Sequence, residues 1–382
     1  MSGIGFTEEQ EMFRKGVERF AQKELAPDAK KRIKSKVYPS EILKRLGEVE
    51  LIGVNCPEKY GGQPADWVTV GIETEELAKV DPMASFFIMM PKIYCATVEL
   101  GSEEVQEEWI PQIIKGDKFL CLGVTEPSGG NDVVGMRTKA VKKGGDYIIN
   151  GEKTSVSAGM WGDGILLWAK TDLEAGARGI TSFLIPSLDV PEVTRSVIPD
   201  MGWHPLGRAV VSFEDLHLPE KYRLGEEGKG FYWIASQFIY ARILVSLLAL
   251  GIAQSAMDTA ISYAKQREAF GQVISKYQGV SFKIADNLAL IEAGRWLCYR
   301  ALSLKDQGLP HNKEASMCKM FCPTAALQAT HDALLIHGNF GYSEEYPLEQ
   351  QLRDVLATEI MDGTPEMQKL IVAREVFGKD FV

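Results

Sequence analysis

The sequence lacks several patterns that would each define a class of protein. It has no CxxC pair, no GxGxxG dinucleotide-binding motif and no Walker A motif. A nicotinamide-dependent or ATP-dependent enzyme is therefore disfavoured, because those cofactors are usually held by such glycine-rich turns. A net charge of -10 likewise argues against nucleic acid or an anionic membrane surface as the main partner.

Long apolar runs and a secretion signal are also missing. The longest apolar stretch, Ile243 to Ala253, is too short to span a bilayer. The N-terminus carries Glu8 and Glu9, where a secretion signal needs a basic end followed by an apolar run. We therefore expect a cytoplasmic protein with reduced thiols and no membrane span.

The six cysteines do not form a metal-binding pattern. Cys318 and Cys322 lie one helical turn apart, but zinc needs further ligands, and the next histidine, His331, lies well beyond the usual ligand spacing. We therefore expect buried free thiols and no metal site.

Hydrophobic periodicity divides the 382 residues into three parts. The first is helical and begins with a capping box from Thr7 to Gln10. In the second, short runs rich in Val, Ile and aromatics alternate with turns, including a hairpin signal at Gly144-Gly145. Helical periodicity then returns. The sequence predicts an α+β fold with an N-terminal helical domain (1–116), a middle β-barrel or sandwich domain (117–228) and a C-terminal four-helix-bundle-like domain (229–382).

The stretch near the C-terminus contains two helical segments separated by Asp362 and Gly363. Thr364 is predicted as the N-cap of the second segment, with Pro365 at its first helical position. A carboxylate in such a tight break, beside a glycine, can project from a rigid scaffold toward a ligand. The alternative is that Asp362 is an ordinary turn residue.

Three further segments combine glycine with polar residues. Val124 to Val133 has a glycine pair whose backbone N–H groups could hold a phosphate or a flavin edge, or could form a simple turn. Ser262 to Gln272 ends a long helix with Lys265 and Arg267, which could bind a phosphate or satisfy helix C-terminal carbonyls. His337 to Tyr342 is a glycine-containing loop against which a ligand could lie.

Taken in order, the segments TEPSGGND, NGEKTSVS, REAFG, HGNFGY and MDGT, the last followed by LIVARE, resemble the acyl-CoA dehydrogenase family. The resemblance covers nearly the whole chain. It implies an FAD enzyme, usually a homotetramer, that oxidises an acyl-CoA to its enoyl-CoA. It also implies that electrons pass to electron-transferring flavoprotein.

The resemblance also implies a role for individual residues. Asp362 would remove the α-proton of the acyl-CoA while a hydride leaves the β-carbon for flavin N5. Substrate would be bound by Asn131, Arg242 and Gly363. The cofactor-binding positions that it implies are Leu122, Val124, Thr125, Gly130 and Asn131 along the flavin, Ser155, Val156 and Ser157 on its other side, Arg267, Phe270 and Gln278 toward the FAD of a neighbouring subunit, and Leu335, Asn339, Thr364 and Glu366.

Two departures from the family pattern bear on the substrate. Asp362 stands where the common base is glutamate, so its carboxylate reaches roughly 1.5 Å less far, one C–C bond. Ala241 stands where some relatives carry the base, and no acid lies between Ser85 and Cys95, so Asp362 is the only sensible base. Ser155 replaces an aromatic that commonly shields the flavin. A short base and added room favour a bulky or alicyclic acyl group such as that of cyclohexane-1-carbonyl-CoA.

Three other readings stay open from the sequence. A nitroalkane oxidase-like flavoenzyme of the same superfamily would also use an aspartate base. A flavin-binding interaction protein would have lost catalysis. An enoyl-CoA reductase would run the same chemistry in the opposite direction.

Overall fold

The computed structural model describes residues 5–35, 37–378 and 380–381. The first part is helical, as predicted, and a short π-helical segment, Ala21–Leu25, joins its first two helices. Its six helices are α1 (Glu8–Phe20), α2 (Ala26–Lys34), α3 (Ser40–Glu48), α4 (Trp67–Ala78), α5 (Pro82–Val98) and α6 (Glu103–Ile114). The predicted capping box is confirmed, because the Gln10 backbone N donates to the Thr7 hydroxyl at 3.1 Å and the Gln10 side chain accepts from Thr7 N at 3.0 Å.

The middle part is one eight-stranded sheet. Its strands are β1 (Leu120–Gly123), β2 (Lys139–Lys143), β3 (Asp146–Ser157), β4 (Gly164–Lys170), β5 (Ile180–Ile185), β6 (Val193–Ile198), β7 (Arg208–Leu218) and β8 (Arg223–Leu224). They follow the order β6-β7-β3-β2-β4-β5-β8, with β1 pairing in parallel with β4. The hairpin between β2 and β3 is confirmed: Lys143 pairs with Asp146, and Gly144 and Gly145 both have the positive φ that a type I′ turn requires.

The last part returns to helices. They are α7 (Gly230–Gln266), α8 (Gln278–Asp306), α9 (Asn312–His337), α10 (Leu348–Ile360) and α11 (Pro365–Phe377), with a small hairpin of β9 (Glu268–Ala269) and β10 (Gln272–Val273) after α7. The order helix, sheet, helix predicted from the sequence is confirmed. The domain boundaries at 116/117 and 228/229 stay predictions.

Helices α7 and α9 run side by side in the same direction. Arg242 on α7 and Lys319 on α9 interact electrostatically near one end of the pair. At the other end, the rings of Tyr263 and His337 stack with their centroids 4.2 Å apart. The two helices therefore connect two distant regions of the molecule as a rigid unit.

Helix α7 is long and apolar enough to cross a membrane by length and composition alone. In the structure, 72% of its most apolar window is buried inside the protein, where α7 packs against α4, α8 and α9. A helix that is apolar on all sides is expected at the centre of a large bundle, so this packing explains its composition.

The cysteines are all buried and free, so the prediction of buried thiols is confirmed. Within the described ranges, no group of three or more His, Cys, Asp or Glu side chains is arranged to hold a metal ion.

Candidate active site

Asp362 and Gly363 form the break between α10 and α11, as the sequence predicts. Both have left-handed backbone angles, with φ of +55° and +95°. Aspartate tolerates this conformation better than most residues, and glycine adopts it without steric cost. A Cβ at Gly363 would also lie 2.5 Å from the Gln368 side-chain nitrogen, so a larger residue there would displace Gln368. The break is thus specified by the residues that form it.

The Asp362 carboxyl is influenced by two cationic side chains, Lys319 and Arg242. The residue is partly buried. This burial raises the pKa of Asp362 above its ordinary value, while the positive charges of Lys319 and Arg242 act in the opposite direction. The site therefore contains a carboxylate of increased basicity with two positive charges beside it.

Lys319 is a functional candidate that the sequence analysis missed. It is fully buried on α9, and its Nζ donates to the backbone carbonyls of Glu359 at 3.2 Å and Gly363 at 3.1 Å. Burial lowers the pKa of its ammonium to about 8. A signal was present in the sequence: helical spacing places Lys319 on the same buried face as Ala315 and Cys322.

Gln368 was also missed. It is fully buried in the first turns of α11, and its Nε2 donates to the carbonyls of Asp362 at 3.4 Å and Gly363 at 3.3 Å. The break is consequently held from α9 by Lys319 and from α11 by Gln368. The sequence offered no signal for Gln368, because a single glutamine in a helix is ordinary.

Arg242 lies on α7, where it is partly buried. Its Nη1 contacts the Asn312 side-chain oxygen at 3.5 Å, and its buried Nε has no hydrogen-bond partner among the residues that the structure describes. Burial lowers the pKa of the guanidinium, and the Asp362 carboxylate partly offsets that effect. Arg242 therefore has hydrogen-bonding capacity left for a ligand, in agreement with its predicted role.

Two predicted segments meet beside the break. Thr154 N donates to Thr125 O at 2.9 Å, which joins the loop after β1 to the end of β3. The same loop reaches α11, where Asn131 Nδ2 lies 3.5 Å from the Thr364 hydroxyl. Thr364 is the N-cap residue as predicted, but its side chain makes no capping hydrogen bond. The predicted residues of the loop, β3 and the break are thereby brought together.

A buried ion pair that the sequence analysis missed anchors this loop. Lys153 Nζ donates to the Glu126 carboxylate at 2.8 Å and to the Val124 carbonyl at 3.2 Å, and both charged side chains are buried. The Glu126 oxygens also accept from the backbone N of Arg137 and of Thr138. Burial lowers the pKa of Lys153 to about 8, against the opposing effect of Glu126.

The surface formed by this loop and β3 carries little side-chain bulk at two of the positions predicted to contact the flavin, Gly130 and Ser155. A Cβ at Gly130 would meet only the Thr125 methyl, at 3.8 Å, so packing within the chain does not require a glycine there. Ser155 is small, has φ of +56°, and accepts a hydrogen bond from Arg208 at 3.3 Å. Of the other predicted positions here, Val124 and Val156 are buried, Leu122 and Ser157 are partly buried, and Asn131 and Glu366 are exposed. These residues fit the cofactor.

The remaining predicted cofactor residues lie elsewhere. Arg242 and Arg267 are separated by roughly 37 Å along α7, at about 1.5 Å per residue. The contact between Tyr263 and His337 places the end of α9 at this same far end of the bundle. The residues found there are Arg267, Phe270, Gln278, Leu335 and Asn339, and all five are exposed. Phe270, at the tip of the β9–β10 hairpin, is 98% exposed.

Two cavities open on other surfaces. One of about 850 Å³ lies among α1, α4, α7 and α8, and its lining is rich in charged side chains. The other, of about 510 Å³, lies between the loop after α3, α5 and α7. Asp362 lines neither cavity. The candidate site is therefore identified by its converging charged groups rather than by cavity size.

Nearly the whole chain is similar in sequence to known proteins. Three family models match in order: acyl-CoA dehydrogenase N-terminal domain at residues 7–117, middle domain at 121–216 and C-terminal domain at 228–377. An acyl-CoA dehydrogenase of Bacillus subtilis (strain 168) is 36% identical, and the match covers 97% of this chain and 99% of that one.

Two further matches are of similar extent. The caffeyl-CoA reductase-Etf complex subunit CarC of Acetobacterium woodii is 34% identical over 98% of this chain and 100% of its own. Among solved structures, butyryl-CoA dehydrogenase from Megasphaera elsdenii superposes with a TM-score of 0.92 at 33% identity, covering 98% of this chain and 99% of that one.

Proposed function

The chain belongs to the acyl-CoA dehydrogenase family, and we propose that Asp362 is the base with which it removes the α-proton of a CoA thioester. As a member of this family, the protein is an FAD-dependent oxidoreductase. The observation that carries the proposal is the position of the Asp362 carboxyl, which lies on a backbone break held by Lys319 and Gln368 and feels the positive charges of Lys319 and Arg242.

The local chemistry suits proton abstraction. A thioester α-proton is weakly acidic, so the base needs a pKa raised toward the working pH, and burial provides that shift at Asp362. The negative charge that develops on the thioester oxygen needs hydrogen-bond donors. Within the described part of the chain, the backbone N–H of Asp362 has no acceptor, so it is free to donate to that oxygen.

FAD supplies the acceptor for the hydride that leaves the β-carbon. In this proposal, the loop from Leu122 to Asn131, the end of β3 at Ser155 to Ser157, and the residues Thr364 and Glu366 would hold its flavin. The open space at Gly130 and the small side chain of Ser155 support this placement. Asn131, Arg242 and Gly363 bind the acyl-CoA beside Asp362.

We propose that Arg267, Phe270, Gln278, Leu335 and Asn339 serve the FAD of a neighbouring subunit in a homotetramer. Their exposure supports this, because Phe270 and Leu335 leave apolar surface that a neighbouring subunit can bury. Their separation from Arg242 by the length of α7 also supports a role in another subunit's site.

The proposed substrate is a bulky or alicyclic acyl-CoA such as cyclohexane-1-carbonyl-CoA. The shorter side chain of Asp362 leaves more distance between its carboxylate and the α-carbon of an unbranched substrate, and a misplacement near 1 Å costs on the order of a hundredfold in rate. A substrate with a ring or branch at the α-carbon fills that distance. Ser155 leaves further room on the flavin side.

Electron-transferring flavoprotein is the proposed partner, and the proposed location is the cytoplasm. The name of the Acetobacterium woodii relative joins a CoA reductase with an Etf complex. That name also favours a second candidate function, reduction of an enoyl-CoA, which uses the same site in reverse. Six free buried thiols agree with a reducing compartment.

Anaerobic mixing with a panel of straight, branched and alicyclic acyl-CoAs tests the proposed function. We expect loss of the flavin's visible absorbance, fastest with the alicyclic thioester. Bleaching by nitroalkanes instead of acyl-CoAs would establish a nitroalkane oxidase-like activity. Absence of bleaching by every compound, in a preparation that retains FAD, would support a non-catalytic flavin-binding protein. Reoxidation by an enoyl-CoA, after reduction with dithionite, tests the reductase direction.

A further inference from the structure

The break that carries Asp362 is bridged by a single buried ammonium group. Lys319 Nζ donates to the carbonyl of Glu359, in the last turn of α10, and to the carbonyl of Gly363, directly after Asp362. The last carbonyls of a helix lack partners within the helix and carry its partial negative charge, so a cation is favourable there. Lys319 thus ties the end of α10 to the far side of the break.

The burial of Lys319 is costly, and no ion pair offsets it. The residue is fully buried, and in the described part of the chain no carboxylate lies within 4 Å of its Nζ. A buried charge is normally retained only when paired or when it serves a function. A methionine would fill similar space on the apolar face of α9 without this cost. The presence of lysine therefore points to a role for its charge.

The charged groups that face Asp362 and Lys319 lie on α7, α9 and α10 and in the break itself. Lys319 faces Asp362 from α9, and Arg242 faces it from α7. Lys319 itself is faced by Asp362 in the break, Arg242 on α7 and Glu359 on α10. The Glu359 carboxylate accepts a hydrogen bond from the Thr324 hydroxyl at 2.8 Å. Lys319 is the only one of these groups that also binds the backbone of the break.

We propose that Lys319 is a positioning residue for the base: its ammonium fixes the backbone on both sides of Asp362, and its charge favours the carboxylate form of that side chain. This inference rests on the proposed function of Asp362 as base. It extends that function by assigning control of the base's geometry and ionisation to a residue on a different helix. Gln368 also donates to the Gly363 carbonyl, and to that of Asp362, but it carries no charge, so it serves geometry alone.

The test is an infrared pH titration of the Asp362 carboxyl in the FAD-loaded protein. Subtracting the spectrum of Asp362→Asn isolates the band of the protonated Asp362 side chain, and this measurement needs no turnover. In Lys319→Met, the apparent pKa of Asp362 should rise by about one unit or more, because a neighbouring cation typically lowers a carboxyl pKa by roughly 1–3 units. Lys319→Gln, which is also neutral, should show the same rise and serves if Lys319→Met does not fold.

Lys170→Met is the matched control. Lys170 is another buried lysine whose Nζ donates to a backbone carbonyl, that of Leu173 at 3.4 Å, but it lies on β4. The Lys170→Met variant should leave the titration of Asp362 unchanged, whatever its effect on the melting temperature. An unchanged titration in both Lys319 variants would overturn the inference.

Flavin reduction by acyl-CoA in the same proteins separates this inference from the proposed function. If Lys319 positions the base, Lys319→Met should reduce its flavin about 10- to 100-fold more slowly even at a pH where the titration shows Asp362 to be ionised, chosen below the pKa of about 8 at which wild-type Lys319 loses its charge. Flavin reduction by Lys319→Met at the wild-type rate under these conditions would contradict the proposal that Lys319 fixes the backbone around Asp362. Retained reduction in Asp362→Asn would contradict the proposed function, while the titration would still decide whether Lys319 controls the ionisation of Asp362.

Discussion

At the scale of single residues, the length of the Asp362 side chain connects the site with the substrate. Asp362→Glu extends the carboxylate by one methylene into the space that we assign to a ring at the α-carbon. The longer acid should therefore slow flavin reduction by cyclohexane-1-carbonyl-CoA, while leaving or raising the rate with butyryl-CoA. Stopped-flow bleaching with both thioesters measures the two rates side by side.

Equal losses on the two thioesters would show that the short base does not determine the shape of the substrate. FAD content and melting temperature serve as controls, because glutamate at a φ of +55° is less favourable than aspartate.

The residues around the site divide into those that the sequence could reveal and those that it could not. Asp362, Gly363 and Thr364 were predictable, because helix termini and turns depend on residues that are neighbours along the chain. Lys319 and Gln368 act on the break through contacts made only after the helices pack. A lysine on an apolar helix face is a visible anomaly, but its partners are not encoded in local spacing.

At the scale of elements, the buried pair of Lys153 and Glu126 joins β3 to the loop that we assign to the flavin. Lys153→Met leaves the Glu126 carboxylate buried without its cation, and breaking such a pair typically costs about 3–5 kcal/mol. We expect a lower melting temperature and weaker FAD retention, measured by thermal unfolding and by flavin fluorescence after gel filtration. Lys142→Met is the control, since its partner Glu220 is exposed.

An unchanged melting temperature and full FAD content in Lys153→Met would show that the pair does not hold the loop. The double variant Lys153→Met with Glu126→Gln should recover part of the lost stability, because it removes the unpaired charge.

The secondary structure was largely predictable from the sequence. Two consecutive glycines at Gly144-Gly145 allow the two positive φ values of a type I′ turn, so they predict the hairpin. The pattern from Thr7 to Gln10 predicts the capping box in the same way, because both of its hydrogen bonds join residues close in sequence. The order of strands in the sheet was not predictable, because β3 pairs with β7, and β1 pairs in parallel with β4, across long sequence separations. Such pairings depend on the whole sheet.

At the scale of the whole molecule, the exposed residues at the far end of α7 and α9 predict assembly. Arg267→Ala should weaken FAD binding and loosen the homotetramer, because we assign this side chain to the cofactor of a neighbouring subunit. Light scattering coupled to gel filtration measures the mass, and absorbance measures FAD per chain. Lys265→Ala, at an exposed lysine two residues earlier on α7, is the matched control.

A monomeric wild-type protein with fully bound FAD would contradict this assignment of Arg267. It would leave the role of Asp362 untouched, because Asp362 lies at the other end of α7.

The most direct test of the central claim is the rate of flavin reduction by acyl-CoA in Asp362→Asn. Asparagine keeps the size of the side chain but removes its proton affinity, so the variant should bind FAD and acyl-CoA while losing about 10²- to 10⁴-fold in rate. In the wild type, the rate should increase with pH through the raised pKa of Asp362, since only the carboxylate accepts the proton. A reduction rate in Asp362→Asn equal to that of the wild type, with the same pH dependence, would contradict the assignment of Asp362 as the base.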